Sequence, residues 1–452
     1  MANVNRRSFL AMTGMASSLV TTSLVAPAPA DEVRPDRPYA PERDPLLLTQ
    51  NPVIIKGRDA ALEILKPSQA ELHRGLELHR NSLVFDCYGF APRAASHPPD
   101  LAALIEAGAS DVEFQDLQEE QGMLRAVSVP EERAEFEEAM RTSGVTCIFQ
   151  NAGEEGQDPL QLLKRLARFT HLTDRLRGAL VRATQPDDIE RAKASGQHAL
   201  YLTGNGVPLP QHWTNVDEEL GFVKLFFQLG IRMMHVTYNR RNMLGDGCAE
   251  TANGGLSDFG RAAIAEMNRV GVIVDVAHSG WQTSLESAQV SRKPMVASHT
   301  TCDALRHHIR AKPDHVLKAI AQTGGLVGIC WIAPFLGGQG GITELLDHID
   351  YAVKKIGIDH VGLGTDVAHT SQYVAKSQGT VPSRGRRRPR FASLWPADAL
   401  GGSFPRSGSL AWTNWPLVTV GLAQRGYADA DIQKLLGGNM LRVCRESLVN
   451  PP

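Results

Sequence analysis

No two of the six cysteines form a Cys-x-x-Cys pair. That excludes a cysteine-only zinc knuckle and leaves disulfides open. A dominant charge sign is also missing: 47 Lys and Arg against 49 Asp and Glu give a formal net charge of −2. Acids and bases are mixed along the chain, so no field is available to gather nucleic acid or anionic lipid. The one basic cluster, SRGRRRPR at 383–390, lies among Pro, Gly and Ser and reads as an exposed loop. No apolar run approaches the ~20 residues of a membrane-spanning helix, so the chain is not expected to span a bilayer.

Residues 5–10 read Asn-Arg-Arg-Ser-Phe-Leu, followed by a mild apolar region over 11–25 and then by Ala28-Pro29-Ala30 before Asp31. This is the pattern of a twin-arginine signal peptide over 1–30, which predicts recognition by the Tat export machinery and a periplasmic mature protein. Residues 31–70, rich in Pro and charge, are expected to form an extended arm or linker. Residues 71–452 are expected to form a single domain.

Within that domain, apolar runs at 83–87, 145–149, 199–203, 231–237, 272–277, 295–298, 326–331 and 360–364 read as strands. Helical spacing separates most of them, as at 258–270, 314–322 and 343–356. Eight strands alternating with helices predict a (β/α)8 TIM-type barrel. Two tracts rich in Glu, Arg and Leu, 92–144 and 151–197, read as helical insertions. The Gly, Pro, Ser and Arg-rich stretch 368–409 reads as a loop able to cover the barrel mouth.

The most informative stretch is 271–300, GVIVDVAHSGWQTSLESAQVSRKPMVASHT. Two short apolar runs each lead into a histidine, His278 and His299, with room between them for a crossover helix. Both imidazoles are therefore expected at the carboxyl ends of neighbouring strands, the face on which barrels do chemistry. Two histidines so placed, with Asp366 in GLGTD at the end of a later strand, make a candidate metal site. His235, His307, His308 and His369 are further nearby imidazoles that read as structural or exposed.

GLSDFGRAAIAEMNRVGVIVDVAHSG, PMVASHT, IRAKPD, HVGLGTD and LLGGNMLRV occur in that order, and together they resemble the renal or membrane dipeptidase family of zinc peptidases. The resemblance implies a (β/α)8 barrel in which two zinc ions activate a hydroxide that cleaves dipeptides, and it suggests a homodimer. It implies that His278 and His299 bind one zinc, that Asp366 binds the other and can accept a proton, and that Arg310 grips the substrate carboxylate.

The other half of the site departs from the family pattern. Tyr88 and Phe90 stand where the family has His-x-Asp, Thr203 stands for the glutamate that bridges the metals, and Tyr238 stands for a further histidine. Without a bridging carboxylate two dications cannot be held close together. The expectation is one ion, zinc or alternatively copper, on His278, His299 and Asp366 with water in the fourth position. Cys87 is a further candidate donor. Tyr88, Tyr238, Thr203 and Arg310 are candidate substrate contacts, and Asp366 and Arg310 the candidate catalytic pair. The expected activity is metal-dependent hydrolysis of a dipeptide or small amide. The alternatives are a non-hydrolytic tailoring enzyme, as in periplasmic siderophore (pyoverdine) maturation, and a metal-free binding protein on the same scaffold.

Overall fold

The computed structural model describes residues 41–153, 157–377, 380 and 393–448. The expected signal peptide, the first part of the arm and the basic cluster lie outside them. Ten strands are present: β1 (Phe85–Gly89), β2 (Cys147–Asn151), β3 (Leu180–Ala183), β4 (His198–Gly204), β5 (Ile231–His235), β6 (Ile273–Asp275), β7 (Val296–Cys302), β8 (Ala311–Lys312), β9 (Leu326–Ile329) and β10 (Val361–Leu363). Every pairing is parallel. The path β1-β2-β4-β5-β6-β7-β9-β10 follows chain order, while β3 hangs on β4 and β8 on β7. This is the expected (β/α)8 barrel, with the eight path strands on the eight apolar runs. Helices cover the outer face, so the strands are buried on both sides and read as continuous apolar runs.

Asp86 joins the two ends of this path. Its carboxylate accepts from Thr365 N (2.9 Å), Thr365 Oγ1 (2.6 Å), Trp412 Nε1 (3.1 Å) and Tyr88 N (3.3 Å). Asp366 N donates to Tyr88 O at 3.0 Å beside it. The segment after β10 is thereby tied to β1 without a ladder between the two strands.

The arm expected over 31–70 is, from Pro52 onward, mostly helical: α1 (Pro52–Leu65) and then α2 (Gln69–Asn81). The local signals explain this correction. Asn51 caps Val53 N and Ile54 N with Pro52 in the first turn, and Ser68 forms a capping box with Glu71. Such caps outweigh a Pro-rich, charged composition. α2 lies close against the helix Trp415–Gln424, where a Cβ on Gly75 would meet Val420 Cα at 2.8 Å. The tract 92–144 is helical as expected, whereas 151–197 also contains β3 between the helices Pro159–Arg175 and Pro186–Ala194. Among the described residues no helix is long and apolar enough to cross a membrane.

His79 on α2 is fully buried, its Nδ1 2.7 Å from Thr419 Oγ1 and its Nε2 2.9 Å from Ser143 O. Burial lowers its pKa to about 3. The unfolded chain therefore takes up a proton near pH 6.5 that the folded one refuses. Stability contributed above pH 6.5 is lost as pH falls toward 3. Between pH 7 and 5 this group is expected to remove about 2 kcal/mol. Urea unfolding of the wild type and of His79→Gln at both pH values measures it, and the variant should lack that step.

Candidate active site

Asp275, the last residue of β6, organises the strand ends that carry the two predicted histidines. Its Oδ1 accepts from Ala277 N (2.9 Å) and from Ser298 N (3.1 Å), bracing the segments that lead to His278 and His299. β7 shifts register against β9 between Ala297 and Thr300. The Ser298 carbonyl there lies so close to β9 and β10 that a Cβ on Gly328 or Gly364 would approach its oxygen to 1.9 or 2.0 Å. Glycine at both positions admits the bend that displays His299.

The two imidazoles meet: His278 Nε2 is 3.0 Å from His299 Nε2. Their other nitrogens are anchored, His278 Nδ1 at 2.7 Å from Asn239 Oδ1 and His299 Nδ1 at 2.7 Å from Ser298 Oγ. Burial, and then the Arg310 charge, hold both pKa values well below the ordinary range. Both rings are neutral at pH 7, the form in which imidazole binds a metal.

Tyrosines cover them. Tyr88 stacks on His299 (centroids 3.9 Å apart, 18° between planes) and donates through its hydroxyl to Asn205 Oδ1 at 2.5 Å. Tyr238 stacks on His278 (4.0 Å, 22°). Thr203 is turned to the backbone, its hydroxyl donating to Met233 O at 3.0 Å. Asp366 adopts a left-handed conformation (φ 57°), which aspartate tolerates better than most residues. Arg310 is fully buried. Its Nη2 donates to His299 O at 2.9 Å and its guanidinium lies 5.3 Å from the Phe335 ring centroid, while Nε and Nη1 have no hydrogen-bond partner.

A cavity of about 700 Å³ opens at this end of the barrel, with Tyr88, Phe90, Tyr238, His278, Asp366 and Trp395 among its lining residues. His299, Thr203, Cys87 and Arg310 are not part of the lining, whereas Phe335, whose ring Arg310 approaches, is. Three further histidines are engaged in structural contacts: His307 with Asp303 (2.8 Å), His308 with Ala399 O (2.8 Å) and His369 with Glu135 (2.9 Å).

Cys87 needs correction as a ligand candidate. It belongs to a buried cluster with Cys147, Met440, Val443 and Cys444, and burial pushes its thiol far above the usual range. Packed there, Cys87 is not among the residues that line the cavity.

The expected trio of His278, His299 and Asp366 is not assembled. Among the described residues, the group whose donor atoms all lie within 4.8 Å of one another is His235, Asp275 and His299. Sequence reasoning set His235 aside as structural and passed over Asp275. Each lies three residues before a position that had been singled out, Tyr238 and His278 respectively, and the β5–β6 register places them side by side.

Residues 79–378, more than half of the chain, match the family described as membrane dipeptidase (peptidase family M19). The chain belongs to the membrane dipeptidase family. The dipeptidase tcpJ of Claviceps purpurea is 26% identical over 326 residues, covering 71% of this chain and 64% of that protein. The chain therefore spans just under two thirds of that curated relative. An amidohydrolase from Pseudomonas aeruginosa is 26% identical, with a TM-score of 0.60 over 82% of this chain and 98% of that one. The probable dipeptidase PvdM from the same organism shares the fold at 21% identity, with a TM-score of 0.59 over 84% and 99% of the two chains.

Membrane dipeptidases are metal-dependent hydrolases, and the residues here do not fit a two-metal centre. Aromatic rings fill the His-x-Asp positions, and the hydroxyl at the bridging position is committed to a backbone carbonyl. His278 and His299 remain side by side, but the carboxylate bridge and the partner ligands of a second ion are not there.

Proposed function

We propose that this chain is an exported hydrolase of small peptides or amides that carry a free carboxylate, working with no more than one metal ion. The observation that carries this reading is Arg310, a fully buried guanidinium with two nitrogens unpartnered. A buried cation with open donors is costly to maintain and is suited to a bidentate anion such as a substrate's terminal carboxylate. Phe335, and Trp395 stacked on it (6.0 Å, 15°), would have to give way for a carboxylate to arrive. Asp366, on the cavity wall, is the group suited to accept a proton from an attacking water. The twin-arginine pattern of residues 5–10 supports export to the periplasm.

The tyrosines stacked on His278 and His299 favour a second reading, a non-hydrolytic tailoring step on an exported peptide in the same cavity. One assay separates the two. The purified mature protein is given dipeptides with free and with amidated C-termini, before and after chelation. Release of free amino acids from the unblocked series alone, abolished by chelator, is the expected result. Cleavage of no member of the panel after resupply of zinc sinks the hydrolase reading.

A further inference from the structure

His235 and Asp275 have no counterpart among the functional residues that the resemblance implies. They are the terminal residues of β5 and β6, paired in register, and neither is exposed. His235 Nε2 approaches Asp275 Oδ2 to 2.7 Å, and neither atom has another hydrogen-bond partner. His235 Nδ1 has none either. A buried imidazole with one nitrogen unpartnered and the other met by a lone carboxylate oxygen calls for an explanation.

We propose that His235, Asp275 and His299 hold a single divalent transition-metal ion on the strand ends themselves, with His278 between the ion and the cavity. This rests on the reading that no more than one metal is used, and it is independent of which bond is cut.

The donor set has the composition of a catalytic zinc site, two imidazoles and one carboxylate with a position left for water. It has no thiolate, and the same composition also suits iron(II), cobalt(II) or manganese(II). The outer contacts orient two of the three donors, and the 3.0 Å contact between His299 Nε2 and His278 Nε2 is the one the ion would replace. Asp275 Oδ1 is occupied by Ala277 N and Ser298 N, so Oδ2 is the oxygen left to bind. His299 Nδ1 is held by Ser298 Oγ, which turns Nε2 inward. Outer contacts of this kind select the tautomer and ring orientation of metal ligands.

Three rings converge edge to face. The His235, His278 and His299 centroids are 5.0 to 5.5 Å apart in every pairing. His278 alone of these three histidines is part of the cavity lining, so its ring stands between the proposed ion and a substrate in the cavity. The opposing charges are Arg310, bonded to His299 O, and the buried Lys312, which donates to Ser279 O and Ser284 Oγ. With a single carboxylate to offset the dication, affinity should be below that of a closed structural zinc site.

The test is metal binding itself, on the full mature chain, stripped with chelator and titrated with zinc or cobalt(II). One equivalent is expected to bind, with visible cobalt absorption of a nitrogen- and oxygen-ligated site. His235→Gln and Asp275→Asn should each weaken binding at least ~100-fold, beyond the roughly 10–100-fold that loss of a supporting contact costs, while Asp366→Asn should leave affinity within about threefold. No bound metal at micromolar concentration overturns the proposal. So does an ion lost in Asp366→Asn but kept in His235→Gln. Should the interior variants fail to fold, anomalous scattering from zinc-soaked wild-type crystals decides: a peak bonded to His235 and Asp275 supports the site, and a peak at Asp366 or none overturns it. An ion held by this trio in a protein that cleaves no dipeptide leaves the metal site standing and removes only the hydrolase reading. Full hydrolysis by the stripped protein together with absent metal binding does the reverse.

Discussion

Arg310→Met is expected to lower kcat/KM for a dipeptide with a free carboxylate by roughly two orders of magnitude, mostly through KM, while leaving the protein as stable as the wild type or more so. Removing one partner of a buried, hydrogen-bonded charge pair costs about 2–5 kcal/mol of binding. That is about 30- to 4,000-fold, since each 1.4 kcal/mol is tenfold. Loss in KM rather than kcat is the signature of a group that holds the unreacting end of the substrate equally in ground and transition states. Stability should move the other way. In the free protein two guanidinium nitrogens are buried without partners, and exchanging such a group for an apolar side chain of similar length relieves the burial of a charge. Arg310→Lys should fall between the two, because a single ammonium cannot reproduce the planar fork. Steady-state kinetics on matched free and amidated substrates, with thermal melting of each variant, checks this. An equal loss on the amidated substrate would mean that Arg310 acts on the fold and not on a carboxylate.

Asp86→Ala is expected to be the most damaging substitution for stability, at about 4 kcal/mol, near the upper end for point mutants. Four donors converge on that carboxylate: two from Thr365, one from Trp412 and one from the Tyr88 amide. Leaving a buried donor unsatisfied costs about 1–3 kcal/mol each, and water entering the gap recovers part of it. The effect is large because the group stands where β1 meets the segment after β10, so its loss opens the barrel and releases Asp366, whose amide donates to Tyr88 O. Burial pushes the Asp86 pKa up to about 7, and Asp86→Asn, neutral and of the same shape, should cost about half as much. Equilibrium unfolding in urea measures both. A loss below about 1 kcal/mol for alanine would show that other contacts close the barrel.

Periodicity and composition were enough to establish the eight path strands in their order, the helical insertion 92–144 and the barrel class, but not β3 inside the tract 151–197. They work because a parallel strand buried on both faces has to be continuously apolar and a covering helix has to be amphipathic, both local properties. The motif order from Gly255 to Val443 likewise carried the family, together with the loss of the two-metal pattern at Tyr88, Phe90, Thr203 and Tyr238. α1 and α2 were legible too, in the caps Asn51 and Ser68, but composition was given more weight than capping chemistry. Only the tertiary structure decided which donors meet. Asp366 and Cys87 were reasonable ligands by position, yet a left-handed turn and a packed thiol cluster take them elsewhere. His235 and Asp275, 40 residues apart in the chain, become neighbours through strand register alone. Which side chains share a point inside a barrel depends on register and on bulges such as the one before Thr300, and a one-residue shift in either turns a side chain to the opposite face.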